Sequence, residues 1–257
     1  MAIKNNKNSS QEVITVSTDQ SVQPKKIPFA VSEAYKSIRT NLISIMEKTG
    51  KKVLAISSPN AAEGKSTTSI NIAISFSQLN KKVLLVDADA HHPSIHNKLK
   101  LQNLQGFLTV MTGESTIKEV SHHYNDTLDI LTSGPLVSNP TELLSSDAFT
   151  AFLDTAKQQY DVIIFDVPPV NILSDAQIVA QKCDGMILIV RAGVTTHDAL
   201  ARSLSIAKSL SIDITGLVLN GSDFGTKRYY SRYYNKYYGH YGRSGRYDTP
   251  NDRYYRS

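Results

Sequence analysis

Six runs of four to six residues are apolar at nearly every position rather than at every second one: Val53–Ser57, Val83–Asp87, Leu128–Leu131, Val162–Asp166, Met186–Val190 and Ile214–Leu219. A strand with one face in water alternates apolar and polar residues, whereas a strand covered on both faces does not, so these runs belong to a parallel sheet. The segments between them, Lys65–Leu79, Ser174–Gln181 and His197–Leu210, are long enough for crossover helices. The expected fold is α/β, a doubly wound and mostly parallel sheet flanked by helices, with its ligand at the carboxyl ends of the strands. One more helix is expected ahead of the sheet, over Ser32–Lys48, where Tyr35, Ile38, Leu42 and Ile45 recur at spacings of three and four. Ser32 would cap its start and Gly50 would end it.

A length of 257 residues and an apolar content of 40% suit one such domain with extensions at either end. Residues 1–28 are rich in Asn, Ser, Gln, Lys and Thr without helical period, and read as a flexible N-terminal arm. The single cysteine, Cys183, excludes a disulfide framework or a cysteine-bound zinc and reads as a structural thiol beside a strand. No apolar stretch approaches the roughly 20 residues of a membrane helix, and the first residues lack a signal-peptide core, so a cytoplasmic chain is expected.

The other end is unusual in a different way. Residues 226–257 hold ten of the thirteen tyrosines: Tyr229, Tyr230, Tyr233, Tyr234, Tyr237, Tyr238, Tyr241, Tyr247, Tyr254 and Tyr255. With eight Lys/Arg, two Asp and almost no aliphatic residue, the segment reads as a disordered tail that cannot bury these rings in a core. Their hydroxyls are then the better reason for them. The tail also accounts for the chain's positive charge of +5, since residues 1–225 sum to −1; a nucleic-acid surface on the folded body is not indicated.

After the first strand run comes Ser58-Pro59-Asn60-Ala61-Ala62-Glu63-Gly64-Lys65-Ser66-Thr67, followed by a helical pattern. Strand, loop, Gly-Lys-Ser and helix is the order a phosphate site needs. Loop and helix amides, including those of Ala62, Glu63, Gly64 and Thr67, wrap the phosphates, Lys65 bridges the β- and γ-phosphates, and Ser66 ligates Mg²⁺. Pro59 stands where the first glycine of that motif is expected. Two acidic ends complete the picture: Leu84-Leu85-Val86-Asp87-Ala88-Asp89 and Ile163-Ile164-Phe165-Asp166 each aim carboxylates at the same edge of the sheet. Either these aspartates cap turns, or together with Gly-Lys-Ser they form a magnesium-nucleotide site; their convergence on one edge favours the site.

The combination of Ser-Pro-…-Glu-Gly-Lys-Ser-Thr, Val-Asp-Ala-Asp, Phe-Asp-Val-Pro-Pro and a tyrosine-cluster tail resembles the bacterial tyrosine kinases of capsule and exopolysaccharide assembly, in the split arrangement of Gram-positive bacteria. The resemblance covers about residues 28–257. It implies a kinase domain over residues 29–225 that uses ATP and Mg²⁺ to phosphorylate the tail tyrosines, with Lys65, Asp87, Asp89 and Asp166 as catalytic residues. Ser66, Asp87 and Asp166 would organise the metal, and Asp87 or Asp89 would receive the tyrosine proton. It further implies a membrane-anchored polysaccharide co-polymerase as activator, a cognate tyrosine phosphatase, a location at the inner face of the membrane through that activator, and a ring of subunits.

The family's pairing helix reads Glu-x-x-Arg-x-x-Arg; here it is Glu33, Lys36 and Arg39, so one guanidinium fork becomes an ammonium. The arginine that usually follows the second acidic motif is His91, either a pH-sensitive replacement or an exposed loop histidine. Asn220 is either the adenine-contacting asparagine of related ATPases or a turn residue before Gly221, and Arg191 either nears the phosphates or closes a strand. The rival reading is a ParA/MinD-like ATPase without kinase activity, but those proteins carry a second lysine where this chain has Asn60. A tail that binds nucleic acid or anionic membrane would leave the nucleotide site unexplained.

Overall fold

The computed structural model describes residues 29–221. The N-terminal arm, residues 1–28, and the tyrosine-bearing segment 226–257 with its ten candidate phosphoacceptors lie outside the described residues, so the expectations about them are not addressed by the fold.

Seven strands form one sheet: β1 (Val53–Ser57), β2 (Val83–Asp87), β3 (His122–Asn125), β4 (Leu128–Leu131), β5 (Val162–Asp166), β6 (Gly185–Arg191) and β7 (Ile214–Asn220). Their order is β3-β4-β2-β5-β1-β6-β7, and all neighbours run parallel except β3 with β4. The helices are α1 (Phe29–Thr49), α2 (Lys65–Ser77), α3 (Ile95–Leu99), α4 (Phe107–Met111), α5 (Ile117–Val120), α6 (Pro140–Ser145), α7 (Asp147–Gln159), α8 (Ser174–Lys182) and α9 (His197–Ser209).

The uninterrupted apolar runs have a direct physical reading, because each central strand feeds two cores. In β2, Leu84 and Val86 enter the larger core while Val83 and Leu85 enter the smaller one; in β5, Ile163 and Phe165 divide from Val162 and Ile164 in the same way. Helices α1 and α2 cover the smaller core through Leu42, Met46, Ile72 and Phe76. The larger core is centred on four rings, Phe107, Phe149, Phe152 and Phe165, with centroid separations from 5.1 to 6.3 Å. Cys183 is half-buried against this core, and desolvation pushes its thiol up.

Two sequence expectations need correction, and one strand was not expected at all. Ser32 is not an N-cap, because α1 begins at Phe29 and places Ser32 inside the helix; Gly50, at φ 70°, does end it. Strand β7 is not covered on both faces: at the sheet edge it leaves Leu217 and Leu219 about half exposed. Strand β3, the antiparallel edge, has the sequence His-His-Tyr-Asn, whose alternating half-exposed pattern carries no apolar run to find.

Candidate nucleotide site

The loop between β1 and α2 emerges at the carboxyl edge of the sheet, with β5 on one side of β1 and β6 on the other. Gly64 precedes α2 at φ 98°, a left-handed conformation that glycine adopts without strain, and no side chain caps the helix. Its first amides are left for an anion, with the positive end of the helix dipole behind them. The two register partners Asp87 and Asp166 end β2 and β5 side by side.

Lys65 reaches into this space, its Nζ 2.9 Å from Asp89 Oδ2 and 3.7 Å from Asp166 Oδ2. Burial works against the ammonium, but Asp166, Asp89 and Asp87 outweigh it and hold Lys65 above its usual range. One lysine cannot balance three carboxylates. Burial and the facing Asp166 push Asp87 up to about 7, even though Asp87 Oδ2 accepts backbone N–H bonds from Ser94 and Ile95, both at 2.9 Å. Asp166 is fully buried and also pushed up by desolvation, against the pull of Lys65, Ser66 and Ser69. Ser69 Oγ donates to Asp166 Oδ1 at 3.0 Å, while Asp166 Oδ2 is buried with no hydrogen-bond partner.

That orphaned oxygen suits a divalent cation. So does the unbalanced charge of Asp87 and Asp166, with Ser66 Oγ 3.4 Å from the Lys65 ammonium at the head of α2. Among the described residues no cluster of three or more His, Cys, Asp or Glu could cage a metal by itself. Such a donor set fits a cation of the Mg²⁺ type, which would keep waters and phosphate oxygens rather than demand an all-protein site.

The remaining sequence candidates fall around this centre. Glu63 is fully buried inside the loop and accepts from the backbone N–H of Asn60 (3.0 Å), from Asn60 Nδ2 (3.2 Å) and from Thr195 Oγ1 (2.7 Å). Asn60, the position where ParA/MinD-like proteins carry their second lysine, is thus turned into its own loop. Asn220 Nδ2 donates to the Glu63 carbonyl at 2.9 Å, and Arg191 Nη1 donates to the Ala62 carbonyl at 2.9 Å. Both side chains therefore hold the loop, a role not read from the sequence, and Arg191 also closes β6, as one of its two readings had it.

His91 Nε2 lies 3.1 Å from Asp175 Oδ2, and Thr141 Oγ1 donates to Asp175 Oδ1 at 2.7 Å. Asp175 is 1% exposed while His91 is itself 39% exposed, so His91 is an exposed loop histidine that ties the loop after β2 to a buried carboxylate shared with α6 and α8. In α1, Lys36 pairs with Glu33 at 2.8 Å and Arg39 Nη1 donates to the Ser75 carbonyl at 2.7 Å. Glu33, Lys36 and Arg39 thus all have partners within the chain itself.

Residues 51–202 match a family described as an AAA domain. Tyrosine-protein kinase YwqD of Bacillus subtilis (strain 168) is 35% identical over 222 residues, which is 86% of this chain and 91% of that protein. The chain belongs to the bacterial tyrosine-protein kinases. Two solved structures agree with the kinase. The kinase domain of Escherichia coli tyrosine kinase ETK superposes with a TM-score of 0.71 at 30% identity, over 79% of this chain and 83% of that one. The chimerical protein CapA2B2 gives 0.70 at 30% identity, over 76% and 85%. Among the described residues of the kinase, no helix is long and apolar enough to cross a membrane.

Proposed function

We propose that this kinase transfers the γ-phosphoryl group of ATP to tyrosines in residues 226–257, between subunits of a homo-oligomeric ring, and that this controls capsule or exopolysaccharide synthesis and export. The observation that carries the reading is the buried Asp166 Oδ2, which has no hydrogen-bond donor and only the distant Lys65 ammonium, beside Asp87 at the carboxyl edge. It asks for the cation that accompanies a nucleotide triphosphate.

In this reading the amides of Glu63, Gly64 and Thr67 hold the phosphates, while Ser66, Asp87 and Asp166 hold Mg²⁺. The cation, when bound, neutralises charge on the β- and γ-phosphate oxygens. Asp87, held near 7 by burial and by Asp166, would be ionised when it serves as a ligand there. Phosphates also draw Lys65 away from Asp89 Oδ2, leaving that carboxylate free to accept the proton of an incoming phenol, whose ordinary pKa of about 10 keeps it protonated at neutrality. The bond from the tyrosine oxygen to phosphorus forms as the bond to the ADP oxygen breaks.

Each phosphate adds about −1.5 to −2 charge at pH 7, so about three or four modifications cancel a segment carrying eight Lys/Arg and two Asp. Subunits held by such segments would then part, and a cognate tyrosine phosphatase would reverse the change. A membrane-anchored co-polymerase activator supplies the link to the inner face of the membrane, a proposal supported by the likeness to the CapA2B2 chimera. Incubation with Mg-ATP and the activator's cytoplasmic segment, followed by mass spectrometry, tests this. Phosphotyrosine should appear within 226–257 in the wild type and vanish in Lys65→Met; hydrolysis with no phosphotyrosine would instead favour the ParA/MinD-like reading.

A further inference from the structure

Three side chains from the far side of the sheet converge on three consecutive groups of the phosphate loop. Arg191 and Asn220 end the adjacent parallel strands β6 and β7 as register partners, and Thr195 sits in the turn that leads to α9. Arg191 takes the Ala62 carbonyl, Asn220 takes the Glu63 carbonyl, and Thr195 takes the Glu63 carboxylate.

The two carbonyl contacts have a geometric effect on the opposite face of the loop. In a planar trans peptide the C=O and the following N–H point in opposite directions. Tying the carbonyls of Ala62 and Glu63 outward therefore turns the N–H groups of Glu63 and Gly64 to the other side. Neither N–H makes a hydrogen bond within the described residues. Ala62 at φ 61° and Gly64 at φ 98° give the left-handed turns that make successive amides concave toward an anion. Pro59 contributes no N–H to this loop and has a fixed φ, so less of the shape comes from the loop's own start.

Thr195 is the centre of the arrangement. A fully buried carboxylate is costly unless its oxygens are hydrogen-bonded, and Glu63 has no cation within salt-bridge distance among the described residues. Two of its donors belong to Asn60 in the same loop; the Thr195 hydroxyl, at 2.7 Å, is the one that comes from outside it. That hydroxyl also accepts the Arg191 backbone N–H at 2.7 Å, which fixes its proton on Glu63 and links it to the residue holding Ala62.

We propose that Arg191, Thr195 and Asn220 brace the phosphate loop in its anion-binding form before nucleotide arrives, with Thr195 as a positioning residue that acts through Glu63. The proposal rests on the loop being the nucleotide site. Its test is the affinity of the full chain for Mg-ADP by calorimetry, beside the KM for ATP and kcat of tail phosphorylation. Thr195→Val removes both hydroxyl bonds at nearly constant shape; Thr195→Ser retains them. The valine variant should bind Mg-ADP about tenfold more weakly, with the loss appearing in KM more than in kcat, and the serine variant should match the wild type within about twofold. Binding by Thr195→Val within about threefold of wild type overturns the brace, as does a loss that serine does not restore. Should Thr195→Val fail to fold in a thermal melt, Arg191→Met carries the test from an exposed position: about threefold or greater weakening supports the brace and a smaller effect overturns it. Wild-type protein that does not bind Mg-ADP would refute the nucleotide-site reading itself, a result distinct from failure of the brace.

Discussion

Raising the pH from 5 to 8 on the nucleotide-free protein should cost stability, in the window where many proteins gain it. Asp87 is pushed up to about 7 by burial and by Asp166 across the register, against an ordinary value near 4. Between those two values the folded chain binds the extra proton and the unfolded chain does not. Stability therefore falls as pH rises through the window, and levels off above about 7. At pH 5 the folded carboxyl is protonated almost completely and the unfolded one is mostly ionised; by pH 8 both are ionised. Integrating between those limits gives a loss of about 2–3 kcal/mol, at roughly 1.4 kcal/mol for each tenfold difference in proton affinity between the folded and unfolded chain.

The assay is urea unfolding at pH 5, 6, 7 and 8 for the wild type and for Asp87→Asn, since the difference between the two series removes contributions from the seven histidines. The Asn variant should lose the share of the pH slope that Asp87 contributes, leaving the share of Asp166, which desolvation also pushes up. Saturating Mg-ADP should also reduce the slope in the wild type, because a cation between Asp87 and Asp166 favours the ionised pair. An unchanged slope in Asp87→Asn would refute the charge imbalance on which the metal argument stands.

Gly64→Ala should abolish nucleotide binding: an added Cβ would lie 2.1 Å from Asn220 Nδ2 at a φ of +98°, so both the turn and the Asn220 contact must give, which a calorimetric titration would register. Ala62→Gly relieves a left-handed alanine at φ 61° and should leave the apo protein equal or more stable by up to about 1 kcal/mol, measured by thermal melt. Phe165→Ala empties the middle of the four-ring core one residue before Asp166 and should cost about 3–5 kcal/mol in urea unfolding.

The parts of this fold that were legible in the sequence are those in which one local pattern is enough. A strand buried on both faces leaves an uninterrupted apolar run, and a strand that delivers a carboxylate ends that run with Asp, so β1, β2 and β5 and the grouping of Lys65, Asp87 and Asp166 follow from residue order alone. Edge strands obey a weaker constraint. The run in β7 is apolar although Leu217 and Leu219 face outward, while β3 has no run because its pairing with β4 is a backbone matter that His-His-Tyr-Asn satisfies as well as Val-Ile would. The short helices α3 to α6 escape for a related reason: at four to six residues they are too short for a 3.6-residue period to repeat.

The brace on the phosphate loop was hidden for a third reason, which concerns distance along the chain rather than weakness of signal. Glu63 and Thr195 are separated by 132 positions, and Glu63 and Asn220 by 157. A buried glutamate in a Gly-Lys-Ser loop announces that it needs donors but not where they lie; only the parallel register of β6 and β7 brings Arg191 and Asn220 to the same point. The sequence did contain one usable hint, a glutamate immediately before Gly64 in a loop whose amides must face an anion. Its charge could not point at the phosphates without opposing them, so it had to turn away and be held from the other side.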